Sequence, residues 1–490
     1  MLFNSALYLI FLVIVAIIYY LIPIQKLRNI FLLISSYFFY MQWNANYGYL
    51  LFFVTLITYL GSYFISLDVI KNDKKKKKLC LIISLSAVLF ILFIFKYLNL
   101  FLGYTNTFLK FINAPLLFRR PNIILPIGIS FFILQSIGYL FDVYRGNIEY
   151  EKDFIVYALF ISFFPQLVAG PIERSKNLLY QFKEKIKFHY KNFQISLYYI
   201  LYGLLIKMVI ADNLSTLVNN IYDKPSIYNG WYLIIATMAF SIQIYCDFYG
   251  YSIIAKGSAK LLGIELMDNF LAPYFSKSIK EFWRRWHISL STWFRDYVYI
   301  PLGGSKNGEY KTYINIIIVF ALSGLWHGSS LAFLVWGLIN GLFIILESIL
   351  NKFFNKNNDT ISKKNLIHQI ITYILILFTF VIFRSGSLHN SKIILENIFA
   401  NLNNISVLSI ENIFKVWAIP QKMIYGTLIS MCLLFIIDYI EYKNISIIEY
   451  ITNKNILIRY YILLLLFVLI IVYGHYGNYY DPQKFIYFQF

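Results

Sequence analysis

A single histidine interrupts one of the most apolar stretches of the sequence, "FALSGLWHGSSLAFLVWGLINGLF" (residues 320–343). An ionisable side chain inside an apolar run is costly to bury, so His327 is a candidate functional residue. A neutral imidazole can accept a proton from a hydroxyl group, which is general-base chemistry. The alternative is a neutral histidine that only packs and bonds to a neighbour. No second histidine lies four residues away, so the stretch does not predict a helical metal pair, and no metal site is expected.

A second stretch, "NFLAPYFSKSIKEFWRRWHISLSTWFRDYVYIPLGGSKNG" (residues 269–308), mixes tryptophans and tyrosines with cations. It contains another histidine, His287, and three arginines, Arg284, Arg285 and Arg295. One interpretation is a helix that lies in the membrane interface and acts as an anchor. The other is that the three arginines bind a polyphosphate donor, because guanidinium forks match phosphate geometry.

Asp247 is a further ionisable residue within an apolar run, "FSIQIYCDFYGYS" (residues 240–252), with Gln243 and Tyr245 close by. These three side chains are candidates for lining a polar tunnel, and Asp247 could instead pair with a basic neighbour. The remaining histidines lie in loops or at the ends of apolar runs, and we expect them to be solvated: His189, His368, His389 and His475.

The composition of the whole chain indicates whether these residues lie in a soluble protein or in a membrane protein. Of the 490 residues, 59% are hydrophobic and only 14% are charged, far more apolar than a soluble domain of this length. Apolar runs recur at 6–22, 30–42, 49–69, 79–102, 123–141, 154–170, 194–211, 231–255, 313–350, 367–384, 423–440 and 460–473. A bilayer helix needs ~17–25 residues, so these runs predict about eleven or twelve membrane segments, some of them re-entrant. Because the runs are continuous and do not alternate, the predicted fold is an all-α polytopic membrane protein.

The net charge of +19 does not predict nucleic-acid binding, because the charge follows the membrane topology. Most of the lysines and arginines fall in loops that can be placed on one side of the membrane, which is then cytoplasmic. This assignment puts both termini outside and makes 154–170 re-entrant or paired with a short neighbour. We expect one membrane-embedded domain over residues 1–490, with an interfacial block at 256–312 and a segment pair at 313–350.

The residues 269–304 followed by "LSGLWHGSSLAFLVWGLING" (322–341) resemble the hallmark pair of the membrane-bound O-acyltransferase (MBOAT) family. The similarity points to the bacterial branch that contains alginate and peptidoglycan O-acetyltransferases and the D-alanyl transfer protein of teichoic acid synthesis. It extends to "GPIER" (170–174), "YGLLIKMVIADNL" (202–214) and the aromatic C-terminus. One position departs from the pattern: Ile253 stands where the family often has an acid, so no role of that acid is carried over.

The resemblance implies a ring of tilted helices around a central tunnel that is pinched near a histidine. By position, His327 corresponds to the catalytic histidine and His287 to a second site position that is usually His or Asn. The resemblance also implies that an acyl group, usually acetyl, passes from a cytosolic donor to an acceptor outside. The expected donor is acetyl-coenzyme A as a substrate, with no permanently bound cofactor.

The last six residues, "FIYFQF" (485–490), resemble the C-terminal Phe-x-Tyr-x-x-Phe motif of a small partner peptide in teichoic acid D-alanylation. The resemblance makes Tyr487 a candidate acyl carrier, with Phe485 and Phe490 docking the tail. The alternative is an aromatic anchor at the outer membrane interface.

The resemblance predicts O-acetylation of a cell-wall polysaccharide from the bacterial cytoplasmic membrane. Peptidoglycan is the favoured acceptor and an alginate-type exopolysaccharide the alternative, with a periplasmic or membrane-anchored acetyltransferase as the expected partner protein. A polysaccharide flippase or transporter and a non-catalytic scaffold are the non-enzyme alternatives; a transporter should contain internal repeats, which the sequence does not show. No G-x-S-x-G or Walker loop occurs, which disfavours a hydrolase elbow and an ATP-driven pump.

Overall fold

The computed structural model describes residues 1–115, 117–168, 170–354, 361–400 and 409–476, without the side chains of 354 and 361–365. Within these ranges every regular element is a helix and no strand occurs, so the predicted all-α class is confirmed. By contacts along the chain, the protein forms two compact units, one of residues 1–192 with 258–267 and one of residues 193–257 with 268 onward. The single domain expected over 1–490 stays a prediction.

The helices of the first unit are α1 (Ala6–Leu21), α2 (Gln25–Met41), α3 (Asn46–Ser66), α4 (Asp68–Lys71), α5 (Lys74–Leu92), α6 (Leu98–Phe111), α7 (Ile129–Arg145), α8 (Phe154–Ser162), α9 (Phe164–Leu167) and α10 (Ser175–Leu178). In this unit α3 packs against α5 and α7. Gly61 of α3 makes this packing possible, because a Cβ there would collide with the Ser84 side chain of α5. Close approach at small residues is the usual way in which apolar helices pack in a membrane.

The later helices are α11 (Tyr190–Leu204), α12 (Asp212–Tyr222), α13 (Gly230–Leu261), α14 (Ile279–Arg285), α15 (Ile288–Phe294), α16 (Glu309–His327), α17 (Leu331–Phe354), α18 (Ile361–Ser385), α19 (Leu388–Ala400), α20 (Ile410–Trp417), α21 (Gln421–Tyr442), α22 (Ile447–Thr452) and α23 (Ile456–Tyr473). A π-helical segment, Leu205–Ala211, joins α11 to α12. The 32-residue α13 is the longest of these helices, and 83% of its apolar window is buried inside the protein.

Eight helical spans of the described chain are long and apolar enough to cross a membrane: 46–66, 74–111, 190–222, 230–261, 331–353, 366–385, 421–442 and 456–473. The chain is therefore a multi-pass membrane protein. The other predicted segments correspond to shorter helices, such as α1, α2 and α7, or to the less apolar α16. The predicted run at 154–170 forms α8 and α9, whose nine and four residues are each too short to span a bilayer.

Helices α16 and α17 form a hairpin and pack against each other near the candidate site. Gly324 of α16 faces Gly337 of α17, and a Cβ on Gly337 would lie 3.2 Å from the Cα of Gly324 and collide with the carbonyl oxygen of Phe320. Glycines at both positions let the two backbones touch, as in other small-residue crossings of membrane helices. This close crossing brings the end of α16, where His327 lies, against the first turns of α17.

Candidate functional site

His287 lies at a break between two seven-residue helices, α14 and α15. The Ser278 side chain caps α14 by accepting a hydrogen bond from the backbone N–H of Glu281 at 2.9 Å. His287 itself has a φ of 45°, in the left-handed region that ends a right-handed helix. The expectation of one continuous interfacial helix over residues 269–308 is therefore wrong, because the backbone leaves the right-handed helical conformation at His287.

The break at His287 is held by a short chain of hydrogen bonds. The backbone N–H of Ile288 donates to the carbonyl oxygen of Asn269 at 2.9 Å. The Asn269 amide then donates to the Ser252 hydroxyl of α13 at 2.9 Å. The buried helix α13 thereby fixes the position of the His287 backbone.

His327 is the last residue of α16, and its side chain is 4% exposed. Aromatic rings from three helices surround its imidazole. The ring centroids of Trp326, Trp336 and Phe383 lie 4.8, 5.0 and 5.6 Å from that of His327. All three rings are steeply inclined to the imidazole, as in edge-to-face aromatic contacts. These contacts hold the imidazole in one orientation and place no charge beside it.

The two histidines meet inside this aromatic shell, with ring centroids 6.4 Å apart. His287 is 1% exposed, and its ring lies edge-on to Phe248 of α13 at 4.5 Å and near Trp326 at 5.7 Å. Burial lowers the pKa of His287 from 6.5 to about 3, because an imidazolium would lose its hydration there. His287 is therefore a neutral imidazole at physiological pH, and the pair places two imidazole rings together in the buried interior.

Tyr245 and Gln243, two of the tunnel-lining candidates, are both buried on α13. The Tyr245 hydroxyl donates to Asp438 of α21 at 2.9 Å, and its ring lies 6.0 Å from that of Trp286, the residue before His287. The Oε1 atom of Gln243 is a buried acceptor without a partner in the described chain. Tyr245 thus adjoins the histidine pair through Trp286, and the tunnel-lining role of Gln243 stays a prediction.

Asp247, the third tunnel-lining candidate, forms a buried ion pair. Pairing with a basic neighbour was the alternative to the tunnel-lining role. Its carboxylate lies 2.5 Å from the Lys207 ammonium, which also binds Asp212 at 2.6 Å. All three side chains are at most 4% exposed. The participation of Lys207 and Asp212 was not predicted; the signal was a lysine and an aspartate five residues apart in the apolar "LLIKMVIAD" run (204–212).

The three arginines have different surroundings. Arg285 already has structural partners: its guanidinium donates to Glu281 at 2.9 Å and to the Leu271 carbonyl at 3.1 Å, and it covers the Tyr442 ring at 4.7 Å. Arg295 is exposed and bonds to the neighbouring Asp296 at 2.8 Å. Arg284 is exposed. Arg284 and Arg295 are therefore the better placed of the three to meet a soluble anion.

One of the four histidines expected to be solvated is buried. His475 is 7% exposed, its backbone N–H donates to the Met208 carbonyl at 3.0 Å, and its ring lies 3.4 Å from the Asn213 side chain. It follows the last apolar helix, which made it look terminal in the sequence, but the chain turns back onto the π-helical segment. His189, His368 and His389 are exposed as expected. Tyr487, Phe485 and Phe490 lie outside the described residues.

The sequence does not single out the aromatic residues that enclose the histidines. Trp326, Trp336 and Phe383 occur in runs rich in such side chains, and only their packing around His327 distinguishes them. Gly337, which follows Trp336, lies where α17 contacts α16. A glycine in an apolar run can mark a close helix contact, and this signal could have drawn attention to Trp336.

Comparison with known proteins identifies the family of this chain. The model of the membrane-bound O-acyltransferase family matches residues 147–389, a range that contains both histidines. The chain is 37% identical to a probable alginate O-acetylase AlgI of Pseudomonas putida over 79% of this chain and 78% of that protein. It is 34% identical to a peptidoglycan O-acetyltransferase of Helicobacter pylori over 85% and 84%. A teichoic acid D-alanyltransferase of Bacillus subtilis is 28% identical over 57% and 74%.

These similarities confirm the resemblance seen in the sequence. They identify the protein as an enzyme and not as a transporter or a non-catalytic scaffold. The chain belongs to the membrane-bound O-acyltransferase family and is an O-acyltransferase.

Proposed function

We propose that this enzyme moves an acetyl group from acetyl-coenzyme A in the cytosol to a cell-wall polysaccharide outside the bacterial cytoplasmic membrane. The observation that carries the proposal is the pair of buried histidines, His287 and His327, with ring centroids 6.4 Å apart in a multi-pass membrane protein. Relatives named as O-acetylases of alginate and peptidoglycan support acetyl as the cargo and a polysaccharide as the acceptor.

His327 is the general base of the proposed reaction. The hydroxyl oxygen of the acceptor attacks the carbonyl carbon of the thioester while its proton passes to the imidazole. Collapse of the tetrahedral intermediate breaks the carbon–sulfur bond, and the imidazolium returns the proton to the departing thiolate. The reaction is proton-neutral overall, which suits a site enclosed by Trp326, Trp336 and Phe383.

His287 orients the acceptor or the base in this proposal. Its pKa of about 3 keeps it uncharged, so it can donate one hydrogen bond and accept another without repelling an imidazolium at His327. Asn offers a comparable amide donor and acceptor, so His287→Asn should keep part of the activity.

Donor binding is assigned to Arg284 and Arg295, which are exposed and carry the charge that phosphates require. Arg285 contributes to the shape of this surface through Glu281 and Leu271. The block from 256 to 312 is then on the cytosolic side, and both termini are extracytoplasmic.

Delivery to the polymer is assigned to the C-terminal tail and a partner. Tyr487 accepts the acetyl group, and a periplasmic or membrane-anchored acetyltransferase moves it to the polysaccharide. Each transfer runs downhill, because the leaving group changes from a thiol with pKa ~8.5 to a phenol at ~10 and then to a sugar hydroxyl.

Peptidoglycan is the acceptor that we favour, since the similarity to the Helicobacter pylori peptidoglycan enzyme covers 85% of this chain. An alginate-type exopolysaccharide is the second candidate, because the Pseudomonas putida relative has the higher identity of 37%. Mass spectrometry of muropeptides from cells with and without the gene separates the two. Loss of O-acetyl muropeptides upon deletion supports peptidoglycan; unchanged muropeptides together with loss of acetyl from a secreted polymer support the alternative.

A further inference from the structure

Among the described residues, three buried hydrogen-bonding groups without partners lie at or next to Trp336, whose ring adjoins His327. Within the described chain, the indole N–H groups of Trp283 and Trp336 and the side-chain oxygen of Asn340 have no hydrogen-bond partner. Trp336 is 2% exposed and Asn340 is fully buried, whereas Trp283 is partly buried. A buried indole N–H or amide oxygen is usually satisfied, because leaving it unpaired costs ~1–3 kcal/mol. Three such groups in one place indicate a surface shaped for a polar ligand.

The three groups are held by α14 and α17, two helices that pack against each other. The rings of Trp283 and Trp336 lie 5.6 Å apart at 77°. Asn340 is one turn after Trp336, and its amide N–H donates back to the Trp336 carbonyl at 2.8 Å. This bond uses the donor end of the Asn340 amide and leaves its oxygen as an acceptor.

Trp336 is also a direct neighbour of the proposed base. Its ring centroid lies 5.0 Å from that of His327, with the two rings nearly perpendicular at 86°. The two rings are therefore close enough for one reacting carbonyl to contact both side chains. Acyl transfer needs such a donor, because negative charge develops on the carbonyl oxygen as the acceptor attacks.

We propose that the Trp336 indole N–H is the oxyanion donor of this enzyme, and that Asn340 binds an amide N–H of the arm that carries the thioester. The proposal rests on the proposed function, since it assumes an amide-bearing thioester donor. The hydroxyl oxygen of the acceptor bonds to the carbonyl carbon while its proton moves to His327. The carbonyl π electrons move to the carbonyl oxygen, and the Trp336 N–H donates a hydrogen bond to this oxyanion. When the carbonyl re-forms, the carbon–sulfur bond breaks and the thiolate takes the proton from His327.

The two residues should affect different kinetic constants. An oxyanion donor acts in the transition state, so Trp336→Phe should lower kcat and kcat/KM equally, by ~10²–10³-fold, with an unchanged KM for the donor. Asn340 would bind the donor in the ground state as well, so Asn340→Leu should raise the donor KM with a much smaller change in kcat. A purely structural role of either residue would not produce this division.

The experiment uses the full-length enzyme in lipid nanodiscs. Isolated cell envelopes that lack the enzyme are added to supply the cell-wall polymer and the partner acetyltransferase, and release of the coenzyme A thiol from acetyl-coenzyme A is measured. Trp417→Phe is the matched control, because Trp417 is also buried, at 4% exposed, and its indole N–H donates to the Asn213 carbonyl at 2.7 Å. The dissociation constant of S-ethyl coenzyme A, a thioether that keeps the amides of the arm and lacks the thioester carbonyl, is measured for each variant. We expect this constant to be unchanged in Trp336→Phe.

Two results would overturn the inference: a Trp336→Phe enzyme within about threefold of the wild-type kcat, or a loss that Trp417→Phe reproduces in full. If Trp336→Phe does not insert or fold, 3-benzothienylalanine at position 336 keeps the ring volume and replaces the N–H by sulfur, and the same loss of kcat is expected. A wild-type enzyme that releases no thiol from acetyl-coenzyme A would contradict the proposed function itself, so the two failures are distinguishable.

Discussion

The imidazole rings of His287 and His327 lie with their centroids 6.4 Å apart, each at the end of a helix. A helix end can aim a side chain into the space between helices, whereas a residue in mid-helix is confined to its own face. His287 reaches this position through a left-handed backbone, and His327 through the glycine crossing of α16 and α17. The pair is therefore a product of two local backbone features, one at each histidine.

The first prediction concerns the pH dependence of stability. The pKa of His287 is about 3 in the folded protein and near 6.5 when unfolded. The unfolded state thus binds more protons between these values, so stability is lost as pH falls below about 6.5, at up to 1.36 kcal/mol per pH unit. Asn tolerates a left-handed backbone, so His287→Asn should fold and should reduce the loss between pH 7 and 5 by about 2 kcal/mol.

The measurement is the thermal midpoint of the detergent-solubilised protein at pH 5 and pH 7. His189→Asn is the control, because His189 is exposed and its removal should leave the pH dependence as in the wild type. The buried His475, whose pKa is also lowered by burial and by Lys207, is present in every variant. Equal pH dependence in wild type and His287→Asn would contradict the assignment.

The second prediction concerns the buried ions of the second unit. Lys207→Met would leave Asp212 and Asp247 as adjacent buried carboxylates, and loss of one partner from a buried pair costs about 3–5 kcal/mol. Lys392→Met is the matched control, since Lys392 and Glu396 form an exposed pair at 3.7 Å, which is worth at most about 1 kcal/mol. Equal thermal midpoints for the two variants would show that the Lys207 ion pairs do not stabilise the fold.

The third prediction separates the arginines. Arg284→Glu and Arg295→Glu should raise the KM for acetyl-coenzyme A more than they lower kcat, and the effect should shrink at high salt because exposed charges are screened. Arg285→Glu should mainly lower the thermal midpoint, because it removes the contacts to Glu281, Leu271 and Tyr442. An unchanged donor KM in both Arg284→Glu and Arg295→Glu would return this block to a membrane anchor.

The sequence was sufficient for the all-helical class, because continuous apolar runs of spanning length are conspicuous. It singled out His327 as a histidine in an apolar run and His287 through the family resemblance, and the catalytic roles of both stay predictions. It did not predict the partners of Lys207, since the Lys207–Asp247 contact joins separate helices and depends on how these helices pack. Trp336 resembled any other apolar residue until its ring was found beside His327. His475 was misjudged because nothing in the local sequence shows that the chain folds back onto Asn213.

The fourth prediction concerns the C-terminal tail. Tyr487→Phe keeps the aromatic ring and removes the oxygen that would carry the acyl group, so cells with this variant should lose O-acetylation of the polymer. Tyr480→Phe removes a phenol oxygen seven residues earlier in the chain, and as the control it should have no effect. Normal O-acetylation with Tyr487→Phe, and no acetyl-tyrosine in the wild-type C-terminal peptide by mass spectrometry, would leave the tail as a membrane anchor.

The most direct test of the account is the rate of acetyl transfer by purified His327→Ala enzyme in nanodiscs. With His389→Ala as a control at an exposed histidine, and with equal thermal midpoints as proof of folding, transfer from acetyl-coenzyme A should fall by ~10²–10⁴-fold in His327→Ala only. A folded His327→Ala enzyme that transfers acetyl groups at close to the wild-type rate would contradict the assignment of His327 as the base.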